Sequence, residues 1–316
     1  MKKILIVTGD PNSINSEIII KVWKKMKKSL KRKIYFISNY NLLKDQLRIL
    51  NFSGKITKKV NFKENDLTMK VLDVGLIYSD PFNVPVKNSS KYILESLRLA
   101  HKLALSNNIA GIINCPVDKK LLNKKNYGVT EFLASMCNIK DKSEVMLIGN
   151  KKLLVCPITT HVDIKNISKK INTNLIIKKS LKIDKWFKKK YRKKAKIAIL
   201  GLNPHNAEFK KNSEEERIIK PAIKNLRKLK LKVDGPLVAD TIFIDAYKNY
   251  NIIIGMYHDQ VLAPFKSIFK FNAINITVGL KYSRVSPDHG VAVNLIKKNK
   301  ANEESLMKCI DYIKSL

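Results

Sequence analysis

The chain has 316 residues, 45% of them hydrophobic and 8% aromatic, which excludes a wholly disordered chain and at this length predicts two lobes around a cleft. Its formal charge of +36, from 62 Lys+Arg against 26 Asp+Glu, is of the size found in binders of nucleic acid or anionic membranes. Only seven of those cations are Arg, and the lysines are spread among Ile and Asn as an AT-rich coding bias would spread them. The planar fork that reads guanine and phosphate is therefore scarce. No specific nucleic acid and no membrane are expected as partners, while anionic small molecules gain from the long-range field. Cys115, Cys137, Cys156 and Cys309 make no C-x-x-C pair, so neither a thiol redox motif nor a cysteine zinc site is indicated, and a reduced, cytoplasmic setting fits.

The first apolar run, Ile4-Leu5-Ile6-Val7, ends at Thr8-Gly9-Asp10. It is too short for a signal-peptide core or a membrane span and reads as a buried strand, 3–8. A helical pattern follows at 15–30 and a strand at 33–38. The clearest helix is 90–106, with Ile93, Leu94, Leu97, Ala100 and Leu103 at three- and four-residue spacing. Strands are predicted at 109–114, 144–148 and 153–157, then a helix at 165–182. The basic stretch 183–195 reads as a solvated face or a linker between lobes, with a membrane contact as the other reading. The chain closes with a strand at 196–201, a helix at 214–230, strands at 251–256 and 274–278, and a helix at 302–314. Apolar strands without polar alternation, separated by helices, predict an α/β fold with a largely parallel sheet covered on both faces. No G-x-G-x-x-G follows the first strand, so a dinucleotide site would have to be built another way.

Three of the five histidines follow an apolar run directly or after a short turn: His161, His205 and His258. Residues just beyond strand C-termini line the functional crevice of a parallel sheet. Three imidazoles on one rim would make a divalent-metal site with open positions, against a reading as three unrelated loop residues. His101 falls on the helix 90–106 as a structural or solvent-facing residue. His289, in Asp288-His289-Gly290, is either a cofactor contact or a turn residue. Lys266, Asn275 and Arg284 lie within one short segment, and two cations with an amide suit a phosphate or carboxylate. Lys266 has a strong competing reading as one more surface lysine; Arg284 does not, because Arg is scarce.

Specific strings occur in order: Gly201-Leu202-Asn203-Pro204-His205, Ala239-Asp240-Thr241, Tyr257-His258-Asp259-Gln260, Asn275-Ile276-Thr277-Val278-Gly279-Leu280 and Asp288-His289-Gly290. With Pro116-Val117-Asp118-Lys119, Thr130-Glu131-Phe132 and Thr159-Thr160-His161, the set resembles the 4-hydroxythreonine-4-phosphate dehydrogenase family of pyridoxal phosphate biosynthesis over almost the whole chain. The resemblance implies two α/β/α lobes like those of isocitrate and isopropylmalate dehydrogenases. Residues 1–130 with 293–316 would form one, and 131–292 the other, with the metal site and dimer interface. It implies a homodimer with active sites shared between subunits and a divalent metal (zinc, cobalt, manganese, magnesium or iron) on His161, His205 and His258. Thr130, Lys266, Asn275 and Arg284 would contact the phosphorylated substrate. Asn203, Glu208, Asp288 and His289 would lie around NAD. Asp240 and Lys119 are the candidates for proton relay, against a reading as structural ion-pair partners.

The implied reaction is NAD- and metal-dependent oxidation of 4-phosphohydroxy-L-threonine with decarboxylation to 3-amino-2-oxopropyl phosphate. The chain departs from the family at Val129, where a His usually precedes Thr-Glu, and at Asn12–Glu17, where a glycine-rich segment is usual. It departs again at Ala207 and Lys210, which replace loop glycines. Val129 keeps open a sister dehydrogenase acting on another phosphorylated hydroxy acid, such as a four-carbon sugar-acid phosphate. A catalytically weak basic binding protein is the remaining reading, and the three intact histidines stand against it.

Overall fold

A computed structural model of the chain describes residues 2–58, 67–122, 128–139 and 144–316. Among these are twelve strands: β1 Lys3–Val7, β2 Ile34–Ser38, β3 Ile56–Thr57, β4 Met69–Asp73, β5 Ile109–Asn114, β6 Val145–Gly149, β7 Leu154–Pro157, β8 Lys196–Leu200, β9 Lys232–Leu237, β10 Ile252–Gly255, β11 Ile274–Val278 and β12 Arg284–Pro287. The chain forms two compact units, Met1–Lys142 with Leu280–Leu316, and Ser143–Gly279. Segments 131–139 and 280–292, grouped with the second lobe from the sequence, sit in the first unit: Leu133 packs into its core and β12 pairs with β5.

In the first unit the order is β3-β4-β2-β1-β5-β12, with every pairing parallel. Leu5 and Val7 of β1 face a cluster that includes Tyr92, Ile93 and Leu97 from helix Val86–Ala104. Ile4 and Ile6, pointing the opposite way by the two-residue period, are buried as well. Burial on both faces is why the run reads as continuously apolar. The C-terminal segment is tied back onto the first helix, Asn15–Lys25: buried Glu17 accepts from Ala301 N at 2.8 Å and from Lys21 Nζ at 2.8 Å.

In the second unit the order is β11-β6-β7-β10-β8-β9. Strands β7, β10, β8 and β9 are parallel, and β6 runs antiparallel to β11 and β7. The core joins Val155, Ala198, Leu200 and Ile253 to Val261, Leu262 and Phe265 of helix His258–Phe269. The basic stretch 183–195 is not a linker. Its first nine residues complete helix Thr173–Tyr191, capped by Asn172, whose side chain accepts from Leu175 N at 2.8 Å. Ile183, Asp184 and Phe187 are buried on one face. Among the described residues no helix is long and apolar enough to cross a membrane.

Candidate active site

Parallel strands β7, β10, β8 and β9 are neighbours in that order, so their C-terminal ends share one edge. His161 follows β7, His258 opens the helix after β10, His205 lies in the turn after β8, and Asp240 follows β9. The ring centroids of His161 and His258 are 5.9 Å apart, tilted by 32°. His258 Nδ1 is 2.7 Å from Asp259 Oδ1. That contact fixes which ring nitrogen faces the protein and leaves Nε2 for a ligand. His205 Nε2 stands 3.7 Å from Asp240 Oδ2, too long for a hydrogen bond. Among the described residues no three His, Cys, Asp or Glu side chains converge at metal-ligand spacing. The donor set nonetheless suits a divalent cation: imidazoles, one oriented by a carboxylate, on a rim held from beneath.

The support beneath that rim is specific. Gln260 donates from Nε2 to Gly201 O at 2.7 Å and accepts Met256 N at 2.7 Å, stitching the loop after β8 to the one after β10. Glu215, fully buried, accepts both Leu202 N and Asn203 N at 2.8 Å. Burial alone would raise its pKa, but these bonds and the Asn203 amide outweigh that and hold it below the ordinary value. The loop it anchors is unusual, because His205, Asn206, Ala207, Glu208 and Phe209 all have φ between 48° and 57°. The Asn203 amide donates to Glu214 Oε2 at 2.9 Å, so this nitrogen serves the loop. Glu208 is exposed.

The first unit carries a cationic site. Arg284, at the start of β12, is 3% exposed. Its Nε donates to Asn114 Oδ1 at 2.6 Å and Nη1 to Thr130 Oγ1 at 3.1 Å. Burial pulls its pKa down to about 10, with the Glu131 carboxylate acting against that shift. It therefore remains a cation at neutral pH. Thr130 lies in the first turn of helix Val129–Met136, whose Gly128 N-cap offers no side-chain cap. Val129 packs half-buried against the core. Asp10 accepts Asn12 N at 2.9 Å and Asp118 N at 3.2 Å; burial, helped by the Asp118 charge, raises its pKa. Lys119 is exposed beside Asp118. Asp288 N donates to Ser305 Oγ at 2.9 Å, and His289 Nδ1 lies 3.0 Å from Gly290 O.

Lys266 is exposed on helix His258–Phe269, while Asn275 is half-buried in β11 with its Oδ1 buried and without a hydrogen-bond partner. Arg284 belongs to the other unit, so closeness in sequence does not put these three residues in one unit. Sequence reasoning passed over Asn114, Glu215 and Gln260. Asn114 and Gln260 sit just beyond apolar runs, where the histidines drew notice. Glu215 had only its position in an acidic triplet, Glu214–Glu216, of a lysine-rich chain.

The fold aligns with the crystal structure of 4-hydroxythreonine-4-phosphate dehydrogenase from Klebsiella pneumoniae at a TM-score of 0.84 and 28% identity, covering 99% of each chain. A terephthalate 1,2-cis-dihydrodiol dehydrogenase from Burkholderia xenovorans, at 0.65 and 18%, shares the fold. The class is thus that of the α/β dehydrogenases, a group of oxidoreductases. Residues 13–313 match the model of the pyridoxal phosphate biosynthetic protein PdxA, and the chain belongs to that family. The 4-hydroxythreonine-4-phosphate dehydrogenase of Aquifex aeolicus is 34% identical over 100% of this chain and 98% of its own. That of Sulfurihydrogenibium is 34% identical over 98% and 97%.

Proposed function

We propose that the chain oxidises 4-phosphohydroxy-L-threonine with NAD and a divalent cation and releases carbon dioxide, giving 3-amino-2-oxopropyl phosphate for pyridoxal phosphate synthesis in the cytoplasm. The observation that carries this reading is the delivery of His161, His258 and His205 to one edge by three adjacent parallel strands. The names of the relatives supply the substrate.

When bound, NAD supplies a hydride acceptor, and the cation supplies Lewis-acid stabilisation of charge developing on the oxidised oxygen. His161, His205 and His258 would hold the cation, in a homodimer with shared active sites. Glu208, Asp288 and His289 would lie around the cofactor, where carboxylates suit ribose hydroxyls, with Asn203 shaping the loop. Arg284, Thr130, Lys266 and Asn275 bind the phosphorylated end by charge-assisted bonds. Asp240, beside His205, takes the hydroxyl proton as hydride leaves the carbinol carbon. The resulting β-keto acid loses its carboxylate as carbon dioxide, and Lys119 returns a proton to the enolate carbon.

The test is NADH formation from 4-phosphohydroxy-L-threonine with added metal, with and without chelator, alongside a phosphorylated four-carbon sugar acid. Metal-dependent turnover preferring the former is expected. Turnover of the sugar acid alone would replace the substrate, with Val129 as the residue responsible. Folded, metal-loaded protein inert on both would refute the reading.

A further inference from the structure

We propose that Gln260 is a positioning residue for the candidate metal site: its amide locks the exits of β7, β10 and β8 together, so that the loops bearing His161, His258 and His205 keep a fixed separation before a cation binds. This deepens the functional reading above and rests on it for the metal. Gln260 lies in the first turn of helix His258–Phe269. Its Oε1 accepts Met256 N at 2.7 Å and its Nε2 donates to Gly201 O at 2.7 Å. The carbonyl of Met256 is held in turn by Thr159, whose N and Oγ1 both donate to it, at 3.1 Å and 2.7 Å. Thr159 and Met256 each stand two residues before a histidine, and Gly201 stands four before the third. One belt of hydrogen bonds thus crosses from β7 through β10 to β8. Gly255 leaves room for it, because a Cβ there would lie 2.8 Å from Gln260 Oε1.

The position needs a group that accepts at one end and donates at the other, and an amide does both. A carboxylate of the same shape would keep the bond from Met256 N and set a negative charge against the Gly201 carbonyl. A thioether of similar length would replace neither bond. Both polar ends of the Gln260 amide are committed to backbone, so the residue acts through the loops it joins. Ligands already in place lose less freedom when a cation arrives, and outer partners of this kind are worth about 10–100-fold in metal affinity.

The experiment compares the full-length parent with Gln260→Glu, Gln260→Met and Ile176→Val, using calorimetric cobalt binding and the visible absorption spectrum of the bound cobalt. Each Gln260 variant should bind cobalt about 10–100-fold more weakly, with an altered spectrum, because the ligands no longer meet the ion in one arrangement. Ile176→Val trims a fully buried side chain of helix Thr173–Tyr191, outside this belt. It should lower the denaturation midpoint and leave the cobalt Kd within about threefold of the parent. If Gln260→Glu does not fold, Gln260→Met decides, and there the Met256 amide of the metal-free protein should also exchange about tenfold faster. Cobalt affinity within about threefold of the parent in either folded Gln260 variant, or an equal loss in Ile176→Val, overturns the proposal and leaves the functional reading in place. A parent that shows the expected order of cobalt affinities but no turnover overturns the functional reading alone, and a parent that binds no cobalt overturns both.

Discussion

Glu215 should act as a latch on the loop that carries His205, and its removal should release that loop without unfolding the protein. The carboxylate is fully buried and receives Leu202 N and Asn203 N, each at 2.8 Å. Hydrogen bonds to a charged group contribute about 1.5–3 kcal/mol each. Counting two, and allowing for their non-additivity, Glu215→Ala should weaken the loop by about 3–5 kcal/mol. The loop has reason to relax once freed, because left-handed backbone costs about 1–2 kcal/mol per residue and five consecutive residues adopt it. Glu215→Gln keeps one acceptor oxygen without the charge and should lose about half as much.

The assay is native-state hydrogen exchange at Leu202 and Asn203. A loss of 3 kcal/mol should speed their exchange by roughly two orders of magnitude, while core strands β8 and β10 stay protected. The pH dependence has a defined sign. Because the folded pKa is depressed, the stabilisation is fully present above the unfolded value of about 4.3 and is lost as pH falls through the folded pKa. Parent and Glu215→Gln should therefore differ at neutral pH and converge in acid. Exchange at both amides within about threefold of the parent in Glu215→Ala would sink the argument.

Gly9 has φ +76°, and a Cβ there would lie 2.5 Å from Pro116 O and 2.8 Å from Cys115 O, both backbone atoms. Gly9→Ala should cost about 2–4 kcal/mol, seen as a lower denaturation midpoint at constant m value; a shift under about 0.5 kcal/mol would contradict the geometry. Val129→His should raise kcat/KM for 4-phosphohydroxy-L-threonine roughly tenfold, by restoring a hydrogen-bond donor; no gain, in a folded and active protein, would show that the position does not reach substrate. Asp259→Ala removes the carboxylate 2.7 Å from His258 Nδ1 and should weaken cobalt binding about 10–100-fold. The contact is exposed, so stability should hardly change, and unaltered cobalt affinity would show that the carboxylate does not orient the ring for the metal.

Every strand expected from an apolar run is present, because a strand buried on both faces must be apolar at successive positions, and that signal is local. The strands that escaped notice break the rule for local reasons. β3 is only two residues long, β4 contains the buried Lys70, β9 holds Gly235-Pro236, and β12 begins with Arg284 and ends in Pro287. Helix His258–Phe269 was hidden by Pro264 in its interior, which ordinarily argues against a helix.

The sequence by itself determined the parallel α/β class, and it placed three histidines at strand exits, since both follow from which residues must be buried and where a strand must stop. Which exits are neighbours was decided by the tertiary structure alone. Strand order β7-β10-β8 arises from pairing between segments far apart in the chain, and no short-range pattern encodes it. The same holds for Arg284, whose nearness in sequence to Lys266 and Asn275 suggested one cluster. Its hydrogen-bond partners include Asn114 and Thr130, brought to it by β12 pairing with β5 and by a helix that starts more than a hundred residues earlier. A buried cation takes the acceptors that the fold sets beside it, and the chain's linear order does not reveal which those are.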